Sequence, residues 1–251
     1  MGKNKLRKFA EMEEIDLVLQ YPYSVLKDKG FDLRGNWGRD FFGNGNPIVV
    51  ELGCGKGEYT VGLAQRFPDK NFIGIDIKGA RMWSGATQAR RQGMTNVAFL
   101  RTSIELLSEF FAPGEIAELW ITFPDPQMKK QRKRLTSARF IDLYGQVMTP
   151  GGLVNLKTDS PFLYTYTRQL CLANPQALPV VTDTPDLYDG GAPAEMADIL
   201  DIKTHYERQW LSRGKTIKYL SFRLNLAAAP VVEIDDSPID RDDYRSTRGR
   251  I

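Results

Sequence analysis

A glycine-rich loop at residues 53–57 is the first place in this chain where residue types and spacing suit ligand chemistry. The apolar stretch 47–52 predicts a buried strand that runs into Gly-x-Gly-x-Gly, and residues 58–66 predict the helix that follows. Glycines such as Gly53 and Gly55 let the backbone turn sharply and approach a ligand closely. A plain tight turn is the alternative, but alternate glycines after an apolar strand favour a binding loop.

Glu51 stands directly before this loop. The glycine spacing differs from the Gly-x-Gly-x-x-Gly of dinucleotide enzymes, whose loop holds pyrophosphate at a helix N-terminus. A carboxylate at Glu51 would repel pyrophosphate, whereas it could order the amino-acid end of S-adenosylmethionine, directly or through water. We therefore expect Glu51, Gly53 and Gly55 to bind S-adenosylmethionine rather than a nicotinamide cofactor.

Asp76 ends the second predicted strand, about 20 residues beyond the loop, where an acid can accept hydrogen bonds from both ribose hydroxyls. An isolated Asp after a strand is usually a helix N-cap, but the spacing from the loop favours ribose binding. Ile77 is then expected to lie against the adenine. Thr102 and Ser103 follow the third predicted strand, and each is suited either to hydrogen-bond the adenine edge or to cap the next helix.

Asp125 lies between two prolines after the fourth predicted strand, so a stiff turn holds it at the ligand-binding edge of the sheet. A basic cluster at residues 129–134 follows at once. A solvated charge run is the ordinary interpretation of such a cluster, but its place beside the candidate reacting centre favours RNA. Lys129, Arg132 and Arg134 are expected to contact phosphates, so RNA binding should weaken steeply with salt.

The composition is that of a globular protein, with 42% hydrophobic residues and a net charge of +3. Cys54 and Cys171 lie far apart without metal spacing, which indicates a reducing, cytoplasmic setting without a disulfide or zinc framework. We find no apolar run long enough to span a membrane, no secretory signal and no metal motif. Whether the chain is a monomer or a homodimer is left open.

Strands and helices alternate along the chain, which predicts an α/β, Rossmann-like fold with helices on both faces of the sheet. We expect a mostly parallel seven-stranded sheet with a late antiparallel strand at 216–224. Residues 174–200 are expected to form a strand and a long loop. The other strands are predicted at 47–52, 71–76, 96–101, 117–122 and 153–157, and the helices at 58–66, 78–91, 135–148, 161–172 and 201–213.

Charge and composition divide the chain into three predicted parts. Residues 1–20 form a basic N-terminal extension, of which residues 3–8 are expected to be disordered in the free protein. Residues 21–228 form one domain. Residues 229–251 form an acidic, proline-containing tail that we expect to be loosely ordered.

The ordered set of motifs resembles the bacterial tRNA (guanine-N7-)-methyltransferases, over roughly residues 10–225. The glycine loop alone is common to many methyltransferases, so the specificity comes from the later motifs. The carrying residues are the Glu51 glycine loop, Asp76, Phe123-Pro124-Asp125-Pro126 with the basic run, Lys157-Thr158-Asp159, and Thr204-His205-Tyr206-Glu207.

The resemblance implies a class I methyltransferase fold, S-adenosylmethionine as cofactor and a guanine in the tRNA variable loop as target. It implies cofactor binding by Glu51, Asp76 and the Thr102 position. It also implies a catalytic role for Asp125, which would contact the cofactor as well and lie close to the guanine. Substrate binding is implied for Lys129, Asp159, Thr204 and Glu207. The sequence departs from the family pattern where Gln127-Met128 replace a common Trp, where the basic run is shorter and lacks its usual His, and where Thr102 replaces a common Asp.

Guanine N7 carries a lone pair and no proton, so its methylation needs alignment more than a strong base. A fixed carboxylate at the guanine N1 and N2 edge would favour the positive charge that develops on the purine. We assign this role to Asp125, and Asp159 or Glu207 could share it. The single histidine, His205, is interpreted as a surface or packing residue.

Three other functions are compatible with parts of the pattern. A methyltransferase for another RNA or a non-RNA substrate shares the cofactor half, but leaves the basic cluster unexplained. A nicotinamide-dependent oxidoreductase conflicts with the glycine spacing and Glu51. A non-enzymatic RNA-binding protein conflicts with an intact set of Glu51, Asp76 and Asp125.

Overall fold

A computed structural model describes residues 2–21, 23–189, 192, 194–200 and 202–243. Within these ranges one sheet has the strand order β1-β4-β3-β2-β5-β6-β8-β7. Its strands are β1 (Val18–Gln20), β2 (Ile48–Leu52), β3 (Asn71–Ile75), β4 (Val97–Arg101), β5 (Ile116–Thr122), β6 (Met148–Thr158), β7 (Val180–Thr184) and β8 (Lys218–Arg223).

The sheet is parallel from β1 to β6, and β8 runs antiparallel to both β6 and β7. This confirms the predicted mostly parallel sheet with a late antiparallel strand. Eight strands replace the predicted seven because Val18–Gln20 pairs with β4 at the edge. A strand of three residues is too short to show a period-2 pattern, which is why the sequence does not reveal it.

Helices cover both faces, as expected for a parallel sheet. The predicted helix 135–148 is shorter in the structure, because Ser137 is its N-cap residue and β6 already begins at Met148. The helices are α1 (Gly2–Glu13), α2 (Tyr23–Lys29), α3 (Glu58–Arg66), α4 (Gly79–Arg91), α5 (Leu107–Phe110), α6 (Ala138–Gly145), α7 (Pro161–Ala173), α8 (Ala197–Leu200) and α9 (His205–Leu211), with a π-helical turn at Trp37–Phe42.

Each face of the sheet has its own hydrophobic cluster. Val50 and Ile121 belong to one cluster, whereas Val49 and Trp120 belong to the other, as the alternation of side chains along a strand requires. All five residues of β2 are buried. The central strand therefore fixes the position of the loop that follows it.

Gly57 shows how closely this loop packs. Its φ of 71° lies in the left-handed region, and a Cβ there would come within 2.5 Å of the Phe99 ring. A larger residue would therefore displace the loop from the sheet.

The N-terminal part is helical rather than disordered. Met12 of α1 is fully buried, and the Trp83 indole N–H of α4 donates a hydrogen bond to the Glu11 carboxylate at 2.6 Å. These contacts and the pairing of β1 attach residues 9–20 to the sheet and its helices, whereas the prediction made residues 1–20 an extension. The sequence did not reveal this because polar residues dominate α1.

Residues 229–243 also differ from expectation, because they lie against the domain. The Asn174 side chain exchanges two hydrogen bonds with the backbone of Val232, and Ile239 is buried. The predicted loosely ordered tail is therefore wrong for this stretch, and residues 244–251 lie outside the described part. Among the described helices, none has the length and apolar character that crossing a membrane requires.

Candidate active site

A cavity of about 780 Å³ lies at the carboxyl ends of β2, β3 and β5. Parallel strands bring their carboxyl ends to one edge, where α/β sheets bind ligands. Helix α9 closes the opposite side. The cavity brings together predicted site residues from four parts of the chain, namely Glu51, Gly53, Gly55, Asp76, Ile77, Asp125 and Thr204.

Glu51 lies at the bottom of the cavity, and its carboxylate is almost fully buried. It accepts hydrogen bonds from the Thr60 backbone N–H at 2.9 Å, from the Thr60 hydroxyl, and from the Thr122 hydroxyl at 2.6 Å. Burial raises the pKa of Glu51 to about 7, although these donors favour its ionised form. Glu51 therefore ties β2 to α3 and β5 while it lines the cavity.

Asp76 connects the glycine loop to the start of α4. One carboxylate oxygen accepts from the Gly55 N–H at 2.9 Å and the other from the Lys78 N–H at 2.7 Å. The carboxylate still lines the cavity, so a ribose could approach it from that side. The N-cap residue of α4 is Lys78, so Asp76 is not the helix cap that the sequence left as an alternative, and it keeps the predicted site position.

The shape of the cofactor side fits S-adenosylmethionine. A Cβ built on Gly53 meets no atom within 4 Å, so the loop backbone faces open space that a ligand can use. Ile77 is 63% exposed at the cavity wall, which leaves an apolar surface for a flat adenine. Glu51 and Asp76 supply carboxylates for a cationic amino-acid end and for hydroxyl groups.

Thr102 and Ser103 do not line this cavity, whereas the neighbouring Ile104 does. The Thr102 hydroxyl is buried without a hydrogen-bond partner in the described structure. Ser103 precedes a 3₁₀ turn at Ile104–Leu106 but makes no side-chain capping bond. The capping alternative therefore receives no support at Ser103, and adenine contact by either residue stays a prediction.

Asp125 is exposed on a constrained turn at the cavity mouth. Phe123 and Gln127, on either side of the Pro-Asp-Pro sequence, have φ values of 49° and 48°. Such left-handed conformations are rare for residues other than glycine and cluster at functional sites. The Asp125 carboxylate accepts a hydrogen bond from the Gln127 N–H at 3.0 Å, which fixes its direction within the turn.

Arg134 does not face solvent, which differs from the prediction that it contacts RNA phosphates. Its guanidinium is fully buried and donates to the carbonyls of Pro126 at 3.1 Å and Gln127 at 3.3 Å. It also pairs with Asp236 at 2.8 Å and stacks 3.9 Å above the Tyr166 ring. Arg134 therefore holds the Asp125 turn instead of contacting RNA phosphates, because the 3₁₀ turn Gln131–Lys133 directs it inward.

The rest of the basic run lies on the surface, and its contact with RNA phosphates stays a prediction. Lys129, Lys130, Arg132 and Lys133 are exposed, and Lys133 also lines the cavity. These cations form a surface beside Asp125 that can meet an RNA backbone.

Thr204 and Glu207, the two ends of the predicted substrate segment, lie in different surroundings. Thr204 lines the cavity and caps α9, and its hydroxyl accepts from the Glu207 N–H at 3.1 Å. Glu207 is fully buried, pairs with Lys157 at 2.7 Å and accepts a hydrogen bond from Tyr188. Burial lowers the pKa of Lys157, and Glu207 opposes that effect. The structure therefore gives Glu207 an internal role in place of the expected substrate contact.

Asp159 and His205 lie off the cavity lining. Asp159 is 1% exposed, and its backbone carbonyl lies 3.5 Å from the Lys218 ammonium. The His205 side chain is exposed, and the backbone N–H of His205 donates to the Glu58 carboxylate at 2.8 Å. His205 is thus a surface residue, while base recognition by Asp159 would need a movement of its surroundings.

The sequence did not identify the aromatic wall of the cavity. Tyr206 and Trp210 are one helical turn apart on α9, and Arg213 lies 5.1 Å from the Trp210 ring. The i, i+4 spacing of aromatic residues was the available signal. Aromatic rings and guanidinium planes are the surfaces on which unstacked RNA bases stack. In the described ranges, no cluster of three or more His, Cys, Asp or Glu could hold a metal ion.

Comparisons with known proteins agree with this geometry. A family model described as "Putative methyltransferase" matches residues 45–220. A tRNA (guanine-N(7)-)-methyltransferase of Porphyromonas gingivalis is 60% identical, with 94% of this chain and 95% of that protein covered. One of the same name from Bacteroides thetaiotaomicron is 54% identical, with 98% and 95% covered.

A solved structure of a 16S rRNA (adenine(1408)-N(1))-methyltransferase variant from Catenulisporales acidiphilia, described with cosubstrate SAM, is similar with a TM-score of 0.52. It is 16% identical, and the match covers 80% of this chain and 95% of that one. At this identity the likeness shows a shared fold.

Proposed function

The chain belongs to the tRNA (guanine-N(7)-)-methyltransferases, and from this we propose that it methylates N7 of a guanine in the variable loop of tRNA. The predicted class I methyltransferase fold is confirmed. One observation supports the proposed chemistry most strongly. The glycine loop, Asp76 and Asp125 line the same cavity, although they come from three different strand ends.

S-adenosylmethionine, when bound, supplies an activated methyl group on a sulfonium. Glu51 and the loop at Gly53 and Gly55 would hold its amino-acid end, and Asp76 its ribose. Ile77 would cover one face of the adenine. The buried carboxylate of Glu51 favours a positively charged ligand, because such a charge compensates for the cost of ionising it.

Asp125 would hold the guanine. Its place on a constrained turn keeps the carboxylate in one position, so little reorganisation is needed as charge develops on the base. Tyr206 and Trp210 on the facing wall would stack on the base once it leaves the RNA stack. N7 then needs no proton acceptor, and the enzyme contributes alignment together with electrostatic support.

The exposed cations Lys129, Lys130, Arg132 and Lys133 would bind phosphates of the tRNA and place its variable loop over the cavity. Thr204 would contact the substrate from α9. Asp159 stays a proposed substrate residue, and its burial requires that the tRNA rearranges its surroundings.

The proposal is tested by incubating the protein with unmodified tRNA transcript and S-adenosylmethionine carrying a labelled methyl group. The modified position is then read by chemical cleavage specific for N7-methylguanine. We expect label at one variable-loop guanine. Label at another RNA atom would support a methyltransferase of different specificity, and cofactor binding without transfer to tRNA would refute the substrate assignment.

A further inference from the structure

The C-terminal segment of residues 229–243, here called the strap, runs beside the Asp125 turn. The Gln131 side chain donates to the backbone carbonyl of Ile234 at 2.8 Å, and the backbone N–H of Asp242 lies 3.2 Å from the Met128 sulfur. Both contacts join the strap to the chain directly after Asp125.

The strap is itself held by the body of the domain. The Asp242 carboxylate accepts from the Phe162 N–H at 3.0 Å and from the Ser160 hydroxyl at the start of α7. Glu233 accepts from the Tyr166 hydroxyl at 2.7 Å and from the Ala138 N–H at 3.1 Å. The strap is therefore fixed to α6 and α7, and these helices do not belong to the turn that it contacts.

Asp236 of the strap is the carboxylate partner of Arg134. Their atoms lie 2.8 Å apart, and Arg241 adds a second cation 3.1 Å from the same carboxylate oxygen. Arg134 is fully buried, and a buried cation requires a carboxylate to compensate for lost hydration. The position of Arg134 thus depends on Asp236.

Arg134 in turn holds the backbone of the turn. It donates to the carbonyls of Pro126 and Gln127, which follow Asp125 directly. Gln127 has a left-handed φ of 48°, a conformation that persists where the surroundings enforce it. Without the guanidinium, this turn loses two donors that keep it in that conformation.

We propose that the strap sets the position of the Asp125 turn, with Asp236 and Arg134 as positioning residues for methyl transfer. The inference rests on the proposed function, because Asp125 is the group being positioned. Asp236 touches neither cofactor nor guanine in this scheme and acts through Arg134. The strap is thereby part of the structure that supports the active site.

Asp236→Asn tests the proposal, since it keeps the shape of the side chain and removes its charge. Asp240→Asn is the matched control, because Asp240 is an exposed carboxylate in the same segment. We expect Asp236→Asn to lower kcat at saturating tRNA and S-adenosylmethionine by about tenfold or more, an effect of the size seen for misplaced catalytic groups. Cofactor Kd should stay within about twofold of the control, and Asp236→Glu should restore part of kcat.

Hydrogen–deuterium exchange provides a readout that does not depend on turnover. We expect faster exchange in peptides that cover residues 119–135 of Asp236→Asn, and unchanged exchange in peptides that cover the glycine loop. If Asp236→Asn misfolds, Asp242→Asn is measured instead, because it weakens the contacts of the strap with Ser160 and Phe162. The same loss of kcat and faster exchange over residues 119–135 are expected, and control values of both would overturn the proposal.

Equal kcat and equal exchange in Asp236→Asn and the control would overturn the proposal. A joint loss of cofactor binding, protection throughout the protein and kcat would also overturn it, because it would show a general structural role. If the wild-type protein makes no N7-methylguanine, the proposed function fails instead, and the exchange data still decide whether the strap holds the turn.

Discussion

Glu51 is a carboxylate in the protein interior, and burial raises its pKa from 4.5 to about 7. A raised pKa means that the folded protein binds the proton more tightly than the unfolded chain. The stabilisation from this proton is complete below about pH 4.5 and is lost as pH rises through about 7. Ionising Glu51 therefore costs the folded protein about 3 kcal/mol above that range.

A cationic ligand should reverse part of this cost, so cofactor binding should depend on pH. We predict that affinity for S-adenosylmethionine falls about tenfold between pH 8 and pH 6, because the binding form of Glu51 is ionised. Isothermal titration calorimetry across this range measures it. Glu51→Gln should bind weakly with a much flatter pH dependence, and an equally steep dependence in this variant would assign the effect to another group.

Asp125 is predicted to act on the chemical step. Asp125→Asn should lower kcat by about 100-fold or more, the usual effect of removing a preorganised electrostatic group. Cofactor Kd should stay within about twofold. Single-turnover methyl transfer to tRNA measures the rate, and Asp69→Asn, an exposed carboxylate before β3, is the control. A near-normal rate in Asp125→Asn would remove Asp125 as the main contributor.

The sequence was most informative for residues at strand ends. Glu51, Asp76 and Asp125 meet in one cavity because parallel strands share an edge, so chain position was enough to predict their proximity. Arg134 and Glu207 were predicted to contact substrate, but both are buried, because residue type does not reveal whether a charge faces solvent or an internal partner. That information depends on Asp236 and Lys157, which are distant in sequence.

At the scale of elements, the buried pair Lys157–Glu207 attaches α9 to β6. Removing one partner of a buried ion pair leaves the other charge without compensation, at a cost of about 3–5 kcal/mol. We therefore predict that Glu207→Gln lowers the free energy of unfolding by about that amount. Urea denaturation is the measurement.

Glu105→Gln is the matched control, because Glu105 pairs with Arg139 at 3.4 Å with both side chains about half exposed. Such a surface pair contributes about 0–1 kcal/mol. Equal stability of the two variants would show that Glu207 is not an anchor of α9. A normal stability of Glu207→Gln with lost tRNA binding would return Glu207 to the substrate site.

The basic cluster after Asp125 is an element whose contribution to tRNA binding should depend on salt concentration. Each phosphate contact contributes about 0.7–0.9 to the slope of log K against log salt concentration. Lys129→Ala with Lys130→Ala should therefore reduce the slope for tRNA binding by about 1.5. Filter binding at several salt concentrations measures it.

Arg90→Ala with Arg91→Ala removes the same charge from the end of α4, at the opposite edge of the sheet. These two replacements should leave the slope for tRNA binding unchanged. A slope insensitive to the lysine changes, or an equal change in both double variants, would place the RNA elsewhere.

Long elements with strong patterns were predictable, and short or polar ones were not. Apolar runs revealed β2 to β5, and helical spacing revealed α3, α4 and α7. Val18–Gln20 gains its strand geometry from pairing with β4, so its own residues carry too little signal. The strap was missed for a similar reason, since its order comes from contacts with α6 and α7.

Across the whole molecule, the residues that line or support the cavity extend from Glu51 to the strap. The proposed reaction is defined by the substrate atom that receives the methyl group. The central claim is methylation at guanine N7. The most direct test compares methyl transfer to two tRNA transcripts, one with guanine and one with 7-deazaguanine, in which carbon replaces N7. We predict label in the first transcript, at the variable loop, and none in the second, with similar binding of both. Equal labelling of the 7-deazaguanine transcript would contradict the account.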